Sequence, residues 1–422
     1  MKETRYHLSY RNFGKRFSAY FLKLCYSRLI RTIFYEDPIQ EQDGLNRSRN
    51  ILVLRTDGLG DLILSLPLFR HIKRVFGEAR VVVVTREEWK SILQTCPYVD
   101  EVISWNIRKY ARSLRYRMDF IRSLRKRIFG TVVHPVYSRE PLSDEVACCV
   151  RDTVRIGFDG DLNNINPRLK KINDGYYSQL IRDASLYRPE LERNCYFADR
   201  LLDDHIAPGD FQPELWISDS DRATAREILF HSGIEPDLQL VIALFPGASA
   251  AYKTWPWKNF VELANRLSRH FSVKLITCGS STDVPIVSEL ACRINGPVVN
   301  LAGKTSLAEL AAVLECSGLY IGNDTGPLHM AAAVGTPTLA IMGGGHFGRF
   351  YPYGDLNKHR MVFKKLDCYG CNWKCIYETT RCIEEITVDD VWREAQRMME
   401  EVVLPSRVAR NAKRQGKMVL ST

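Results

Sequence analysis

Two stretches of the chain alternate short apolar segments with segments of helical spacing, and this alternation constrains the fold more than any other feature. In residues 50–215 the apolar segments are Ile51–Leu54, Val81–Val84, Glu101–Ser104 and Thr131–Val133. In residues 238–365 they are Leu240–Leu244, Val273–Thr277, Val298–Leu301, Leu319–Ile321 and Thr338–Ile341. Strands that alternate with helices form parallel sheets. The pattern therefore predicts an α/β fold with two doubly wound sheets.

The chain length agrees with two domains, because 422 residues are too many for one typical core. We predict one domain over 46–220 and a second domain over 221–404, flanked by an N-terminal extension (1–45) and a basic tail (405–422). The link falls where Asp219-Ser220-Asp221 is expected to cap a helix. Residues 155–215 are less regular, and no strand is predicted there.

The N-terminal extension has the spacing of an amphipathic helix. Its apolar positions are Phe17, Tyr20, Phe21 and Leu24, and its basic ones are Lys15, Arg16, Lys23, Arg28 and Arg31. Such a helix can lie in an anionic membrane interface or pack on the protein's own surface. The sequence leaves both alternatives open.

The net charge and the distribution of apolar residues limit which partners the protein can bind and where it can be located. A net charge of +10 predicts anionic partners such as phosphorylated sugars or lipid head groups. We read no aromatic stacking platform beside the basic segment 108–127 and do not expect nucleic acid. The sequence has no apolar run long enough to span a membrane and no secretory signal. We therefore expect a cytoplasmic protein. A peripheral position on the inner face of the cytoplasmic membrane is compatible with this expectation.

A glycine turn, Asp57-Gly58-Leu59-Gly60-Asp61, follows the first apolar segment. A dinucleotide fingerprint would need a third glycine at position 63, which is Ile63, so that interpretation is weak. The turn instead brings two carboxylates to the carboxyl end of a strand. Asp61 is expected either to cap the following helix or to take part in catalysis.

A second motif, Gly322–His329, follows a predicted strand and opens a helix with Pro327 in its first turn. Free backbone amides there, together with the Thr325 hydroxyl, favour a phosphate site over a capped helix without a ligand. In the loop Pro246–Pro256, Lys253 could reach a diphosphate. Ser281 and Asp283 suit a ribose or a base, but equally a plain turn.

These motifs together resemble glycosyltransferase family 9, the bacterial heptosyltransferases of lipopolysaccharide synthesis. The resemblance covers about residues 50–400 and rests on Arg55-x-Asp57-x-x-Gly60-Asp61, Lys253-Thr254-Trp255-Pro256 and Asn323–His329. It implies a GT-B fold, in which two Rossmann-like domains face each other across a cleft. The first domain would bind the acceptor and the second a nucleotide-sugar, usually ADP-heptose. The sugar would be transferred with inversion and without a metal.

The resemblance also implies roles for individual residues. Asp61 matches the general base and Lys253 a diphosphate-binding lysine. The other residues that match donor contacts are Ser281, Asp283, Asp324, Thr325, Gly326 and His329. As acceptor contacts we predict Asp57, Gly60, Arg112 and Arg115, although the two arginines also fit a solvated helix face. A carboxylate at a helix N-terminus is expected to stay ionised at neutral pH.

Four cysteines lie within fifteen residues, as Cys368-x2-Cys371-x3-Cys375-x6-Cys382. This spacing fits a structural zinc or iron site, and it equally fits free thiols packed in a tight loop. Two further functions stay open on the sequence: a nucleotide-sugar epimerase on the same two-domain plan, and a non-catalytic sugar- or membrane-binding module.

Overall fold

The computed structural model describes residues 26–38, 50–185 and 187–409. The predicted helix positions Phe17, Tyr20, Phe21 and Leu24, and residues 410–422 of the predicted tail, lie outside the described residues. Within the described ranges, none of the helices combines the length and the apolar character that crossing a membrane requires.

Two six-stranded sheets form the framework, and every strand pairing in them is parallel. The first sheet has the order β3-β2-β1-β4-β5-β6 and consists of β1 Asn50–Arg55, β2 Arg80–Arg86, β3 Glu101–Trp105, β4 Thr131–His134, β5 Val154–Phe158 and β6 Gln179–Ile181. The second has the order β12-β11-β10-β7-β8-β9 and consists of β7 Leu240–Phe245, β8 Val273–Thr277, β9 Val298–Asn300, β10 Leu319–Asn323, β11 Thr338–Met342 and β12 His359–Phe363.

Helices cover both sheets. Those of the first half are α1 (26–34), α2 Leu59–Phe76, α3 Lys90–Gln94, α4 Ile107–Arg112, α5 Leu114–Arg125, α6 Pro141–Cys148, α7 Pro167–Asp174 and α8 Glu190–Leu202. Those of the second are α9 Asp219–His231, α10 Trp257–His270, α11 Val284–Arg293, α12 Leu307–Glu315, α13 Gly326–Ala333, α14 Arg381–Glu384 and α15 Val388–Met398. A π-helical turn, Met399–Val403, follows α15.

The order of the strands indicates where a sheet of this kind binds ligands. In each half the first strand of the chain lies at the centre, beside the fourth, and the strand order reverses between them. Open parallel sheets bind ligands outside the carboxyl ends of the strands at such a switch point. The turn of Asp61 follows β1, and the motif of Asp324 follows β10. The predicted α/β fold with two doubly wound sheets is therefore confirmed.

Three of the strands, β5, β6 and β12, were not predicted from the sequence pattern. In β5 the side chain of Arg155 is fully buried and donates to backbone oxygens, including that of Val150 at 2.9 Å. Gly157 in the same strand lies against the Tyr177 ring. A buried arginine and a glycine interrupt the apolar run by which a buried strand is recognised. The less regular stretch 155–215, for which no strand was predicted, therefore holds most of β5 and all of β6.

The described part of the N-terminal extension packs on the first domain. Ile30 and Phe34 of α1 are buried. Arg117 donates to the Ser27 hydroxyl at 2.6 Å, and Arg125 donates to the Phe34 carbonyl oxygen at 2.9 Å. Two arginines of the basic segment 108–127 therefore hold α1. The predicted apolar positions 17–24 lie outside the described residues, so both alternatives for that helix stay predictions.

The link between the sheets reaches α9 through a capped turn. The Ser218 hydroxyl accepts from the Asp221 amide at 3.0 Å, so Ser218 is the N-cap rather than the predicted Asp219–Asp221 group. On either side of this link, α8 packs on α2 in the first half and α9 packs on α12 in the second.

Candidate active site

The two glycine motifs meet where the N-termini of α2 and α13 touch. A Cβ atom at Gly60 would lie 2.7 Å from Cδ2 of His329, and one at Gly326 would lie 2.8 Å from Cδ2 of Leu59. Each glycine therefore permits a contact that any other residue would obstruct. The structure places Gly60, predicted as an acceptor contact, against the second half of the chain.

Asp61 lies in the first turn of α2 and does not cap it. The N-cap is Gly58, and no side chain caps this end of the helix. The Asp61 carboxylate lies over Gly58, where a Cβ atom would be 2.7 Å from Oδ2. Arg55 fixes the backbone of the turn by donating to the Asp61 carbonyl oxygen at 2.8 Å. The capping alternative for Asp61 is thus wrong, and its carboxylate is left free for another task.

The surroundings of Asp61 change its ionisation. Burial, together with the nearby carboxylates of Asp57 and Glu190, raises the pKa of Asp61 to about 7, whereas Arg55 and Arg349 oppose the rise. The expectation that the helix N-terminus keeps this group ionised is therefore wrong. Removal from water and two like charges outweigh the helix dipole. A carboxylate of this kind is a better proton acceptor near neutral pH than an ordinary aspartate.

Asp57 supports the turn. Its Oδ1 lies 3.2 Å from Nε of Arg55, and its carbonyl oxygen accepts from the Trp89 indole at 3.0 Å. The Arg55 guanidinium is fully buried and also donates to the Pro135 carbonyl oxygen at 2.5 Å. Burial raises the pKa of Asp57, and the charge of Arg55 opposes this. The Asp57 side chain stays 20% exposed, so its edge is open to a ligand.

Asn323 joins the second motif to the Lys253 loop. Its Nδ2 donates to the Pro246 carbonyl oxygen at 2.8 Å, and its Oδ1 accepts from the Trp255 amide at 2.9 Å. The buried amide thus ties the end of β10 to the loop after β7. The amide side chain positions both motifs at the carboxyl edge of the second sheet.

The N-terminus of α13 presents the other predicted donor residues. Thr325 is its N-cap and makes no side-chain capping bond, and Gly326 begins the helix. Burial raises the pKa of Asp324, and the charge of Lys253 opposes this. His329 accepts or donates a 3.1 Å hydrogen bond with the Tyr353 hydroxyl, and burial lowers its pKa to about 4. His329 is therefore neutral and enclosed by protein.

Lys253 and Asp283 border the same edge. Lys253 ends a single 3-10 turn, Ala251–Lys253. The Asp283 carboxylate accepts from the Ser280 amide at 2.8 Å and lies where a Cβ atom at Gly247 would be 2.7 Å away. It therefore fills the space between the loops that follow β7 and β8. Ser281 is exposed beside it.

The first half of the chain thus contributes a carboxylate to this region, and the second half contributes a lysine and a helix N-terminus without a side-chain cap. A family model described as glycosyltransferase family 9 (heptosyltransferase) matches residues 143–375, which is more than half of the chain. The chain belongs to glycosyltransferase family 9.

Curated and solved relatives agree with this assignment. Lipopolysaccharide heptosyltransferase 3 of Escherichia coli is 24% identical over 304 residues, covering 67% of this chain and 80% of the relative. A family 9 glycosyl transferase of Veillonella parvula superposes with a TM-score of 0.71 at 19% identity, covering 84% of this chain and 98% of that one. ADP-heptose LPS heptosyltransferase II of E. coli gives a TM-score of 0.65 at 21% identity, covering 83% and 99%. The fold is therefore that of the GT-B heptosyltransferases, and the chain is a glycosyltransferase.

Two residues of this glycosyltransferase were not predicted, Glu190 and Arg349. Arg349 follows β11, and its Nε and Nη2 each lie 3.3 Å from Oε2 of Glu190 at the start of α8. Its Nη2 also donates to the Ser138 hydroxyl at 3.1 Å. No sequence pattern joins residues 159 positions apart, so only the folded chain shows this pair.

Trp373 is a third residue that the sequence did not single out. Asn372 and Trp373 both have a left-handed backbone, with φ of 49° and 60°. This conformation turns the indole onto Gly345, where a Cβ atom would overlap the ring. Nζ of Lys253 lies 5.1 Å from the centroid of the indole, which therefore holds the predicted diphosphate lysine.

The four cysteines around Trp373 line one cavity of about 20 Å³. Cys382 accepts from the Gly344 amide at 3.3 Å, and Cys375 contacts the Thr379 carbonyl oxygen at 3.5 Å. Four thiols suit zinc or iron chemically. Within the described ranges, however, no group of three or more His, Cys, Asp or Glu side chains has the arrangement to hold a metal ion. The thiols line a common space without forming a ready coordination site.

Arg112 and Arg115 are both exposed and belong to α4 and α5. Arg115 is 94% exposed and lies 3.9 Å from Asp119. Both helices follow β3 at the edge of the first sheet, two strands from β1. The structure thus does not bring these arginines to Asp61, and their contact with the acceptor stays a prediction.

Proposed function

We propose that this family 9 enzyme transfers a heptose, with inversion, from ADP-heptose to a lipopolysaccharide-type saccharide. The names of its relatives support this, because they include a lipopolysaccharide heptosyltransferase and an ADP-heptose enzyme. The observation that carries the proposal is the contact between α2 and α13. At this contact the turn of Asp61, whose carboxyl has a pKa of about 7, meets the N-terminus of α13, where no side chain caps the helix.

Residues 46–220 bind the acceptor and residues 221–404 the donor in this proposal. The acceptor hydroxyl attacks the anomeric carbon of the sugar on the face opposite the diphosphate. The new carbon–oxygen bond forms as the bond to the diphosphate breaks, and Asp61 takes the hydroxyl proton. Asp57, held by Arg55, presents its open edge to the acceptor.

The second domain stabilises the leaving diphosphate. Lys253 and the amides at the start of α13, with Thr325 and Gly326, offset its growing negative charge. Asp324 contacts the sugar, and Asp283 with Ser281 contacts the ribose. His329 contributes by holding Gly60 and Tyr353 rather than by touching the donor.

Because these groups supply the positive charge, we propose that transfer needs no metal and continues in the presence of a chelator. The cysteine cavity is proposed to shape the loop that carries Trp373. A structural zinc or iron ion and free thiols remain the two predictions for it. Metal analysis of the purified protein, with thiol titration, separates them.

A thermal-shift screen identifies the donor. A ligand that binds only the folded protein raises its unfolding temperature. We expect ADP-heptose to raise it more than UDP- or GDP-sugars at equal concentration. A larger shift with another nucleotide-sugar would contradict the proposed donor.

The Asp61→Ala variant tests the proposed base. Loss of a general base costs about 10²–10⁴-fold in rate. We expect transfer to fall by that factor while the thermal shift produced by ADP-heptose is retained. Asp219→Ala, which changes an exposed carboxylate on α9, is the control and should keep full activity.

Three outcomes would contradict the proposal, and the last two point to the other functions. A folded Asp61→Ala protein with wild-type turnover would remove Asp61 from the mechanism. Conversion of the donor without any acceptor indicates an epimerase. Binding without transfer or hydrolysis indicates a binding module.

A further inference from the structure

A chain of side-chain hydrogen bonds leads from the first half of the molecule to the indole beside Lys253. Asn372, in the loop that carries the four cysteines, donates from Nδ2 to Oδ1 of Asn163 at 3.1 Å. Its own Oδ1 lies 2.5 Å from Nε2 of His346. Nε1 of Trp373 donates to Nδ1 of the same histidine at 3.3 Å. Asn163 belongs to the loop after β5, so one bond of this chain joins the two halves of the protein.

The polarity of these bonds is fixed at both ends. Asp161 accepts from Nδ2 of Asn163 at 2.6 Å, and an ionised carboxylate has no hydrogen to donate. The amide of Asn163 therefore presents its oxygen to Asn372. At the other end the indole nitrogen can only donate, so Nδ1 of His346 must accept.

These two constraints assign one tautomer to His346. Because Nδ1 accepts from the indole, the hydrogen of the neutral ring is on Nε2, which donates to Oδ1 of Asn372. Burial lowers the pKa of His346, and the charges of Lys253 and Arg349 act in the same direction, whereas the bond with Asn372 opposes them. A protonated ring would carry a hydrogen on Nδ1 and could not accept from Trp373. The neutral form therefore completes the chain.

The indole connects this chain to Lys253. Nζ of Lys253 lies 5.1 Å from the centroid of Trp373, and the ring also packs on Tyr252 of the same loop, with centroids 5.2 Å apart. Gly345 leaves room for the ring, because a Cβ atom there would overlap it. The hydrogen bond with His346 fixes the rotation of the ring in this space, and the contact with the ring directs the lysine.

We propose that His346 and Asn372 are positioning residues, which link the loop of Asn163 to the donor-binding lysine. The inference rests on the proposed role of Lys253 toward the diphosphate of the donor. While Asn163 holds the amide of Asn372 in one orientation, the histidine keeps the tautomer that binds the indole. Without that bond the amide can turn and present its NH₂ group to the histidine. The ring then moves its hydrogen to Nδ1, and the indole loses its acceptor.

A double-mutant cycle on donor affinity tests this linkage. Asn163→Ala removes the acceptor of the bond between the two halves. Trp373→Phe keeps an aromatic ring beside Lys253 and removes the indole N–H. Each should raise the Kd for ADP-heptose by about 2–10-fold, the effect of one lost hydrogen bond, as isothermal titration calorimetry measures. In the Trp373→Phe protein, Asn163→Ala should have no further effect, because the chain is already interrupted.

Additivity separates this role from a purely structural one. If Asn163→Ala raised Kd by the same factor with and without Trp373→Phe, its bond would only hold the two halves together, and the proposal would be overturned. An unchanged Kd in either single variant would overturn it as well. Asn164→Ala is the matched control, because this neighbour donates to the Ser138 carbonyl oxygen at 2.8 Å within the first half of the chain. It should leave Kd unchanged.

Nuclear magnetic resonance of ¹⁵N-labelled protein tests the chain without a donor. The indole resonance of Trp373 is assigned by its loss in Trp373→Phe, and the ring nitrogens of His346 by their loss in His346→Phe. The histidine should carry its hydrogen on Nε2. Asn372→Gly, which suits the left-handed backbone at this position (φ of 49°), should shift the indole resonance, and so should Asn163→Ala. A hydrogen on Nδ1, or an indole resonance that neither variant shifts, would contradict the proposed linkage.

Failure of the proposed function gives a different result. A wild-type protein that does not bind ADP-heptose would refute the proposed donor, and the cycle is then measured with the nucleotide-sugar that gives the largest thermal shift. The resonances of His346 and Trp373 decide in either case whether the chain reaches the indole. If Asn163→Ala does not fold, Asn372→Gly takes its place in the cycle.

Discussion

Asp61 shows how a single residue acquires its chemistry from its neighbours. It lies in the first turn of a helix, which favours an ionised carboxylate, yet burial together with Asp57 and Glu190 raises its pKa to about 7. Two arginines, Arg55 and Arg349, limit the rise. The balance leaves a group that can take up and release a proton near neutral pH, as the proposed base requires.

The same balance makes Asp61 a source of pH-dependent instability. Its pKa in the folded protein, about 7, is above the ordinary value of 3.8, so ionisation costs folding free energy as pH rises between these values. We expect Asp61→Asn to raise the unfolding temperature by about 2–4 °C at pH 8 and by little at pH 4. Differential scanning calorimetry at the two pH values measures this.

Asp219→Asn is the control for that stability experiment, because the Asp219 side chain is fully exposed. It should change the unfolding temperature equally little at both pH values. An equal gain for Asp61→Asn at pH 4 and pH 8 would show that ionisation is not its cause.

At the scale of elements, the loop that carries the four cysteines (368–382) contacts the Lys253 loop through one indole. The loop carries Trp373, which packs on Gly345 and Tyr252 and supports Lys253. Without this contact, the long side chain of Lys253 would have no fixed direction on the short loop after β7. The loop near the C-terminus thus orders a residue more than 100 positions earlier in the chain.

Trp373→Ala should weaken donor binding. A cation–π contact contributes about 0.5–2 kcal/mol, so we expect the Kd for ADP or ADP-heptose to rise about 2–30-fold. Isothermal titration calorimetry measures this directly. Trp392→Ala on α15, where the ring packs on His270, is the control and should leave Kd unchanged. An unaltered Kd for Trp373→Ala would remove the indole from the donor site.

At the scale of the whole molecule, two glycines decide how closely the domains approach. Gly60 lies under His329, and Gly326 lies under Leu59, so the N-termini of α2 and α13 interlock. This contact sets the distance from the proposed base to the proposed donor site. Displacements of about 1 Å between reacting groups can cost 10²-fold in rate.

Gly326→Ala should separate the two helix ends, because its Cβ atom would lie within 2.9 Å of three Leu59 atoms. We expect kcat to fall at least about 10-fold while both domains stay folded, as circular dichroism can verify. Adding Leu59→Ala makes room and should restore part of the activity, which steady-state kinetics measures.

Gly209→Ala is the matched control for the glycine contact, because nothing lies within 4 Å of that position. It should leave kcat unaltered. If Gly326→Ala kept wild-type kcat, the close contact would not set the geometry of the site.

Local pattern alone determined much of this protein. Period, glycine turns and helix starts predicted nine of the strands and the places of Asp61, Lys253 and Asp324, because those signals act between neighbours in the chain. The tertiary structure decided the rest. Arg155 is fully buried, and its presence in β5 interrupts the apolar run by which this strand would be recognised. Its burial, like the pair of Glu190 with Arg349, depends on residues far apart in sequence. So does the ionisation of Asp61, because removal from water is a property of the folded chain.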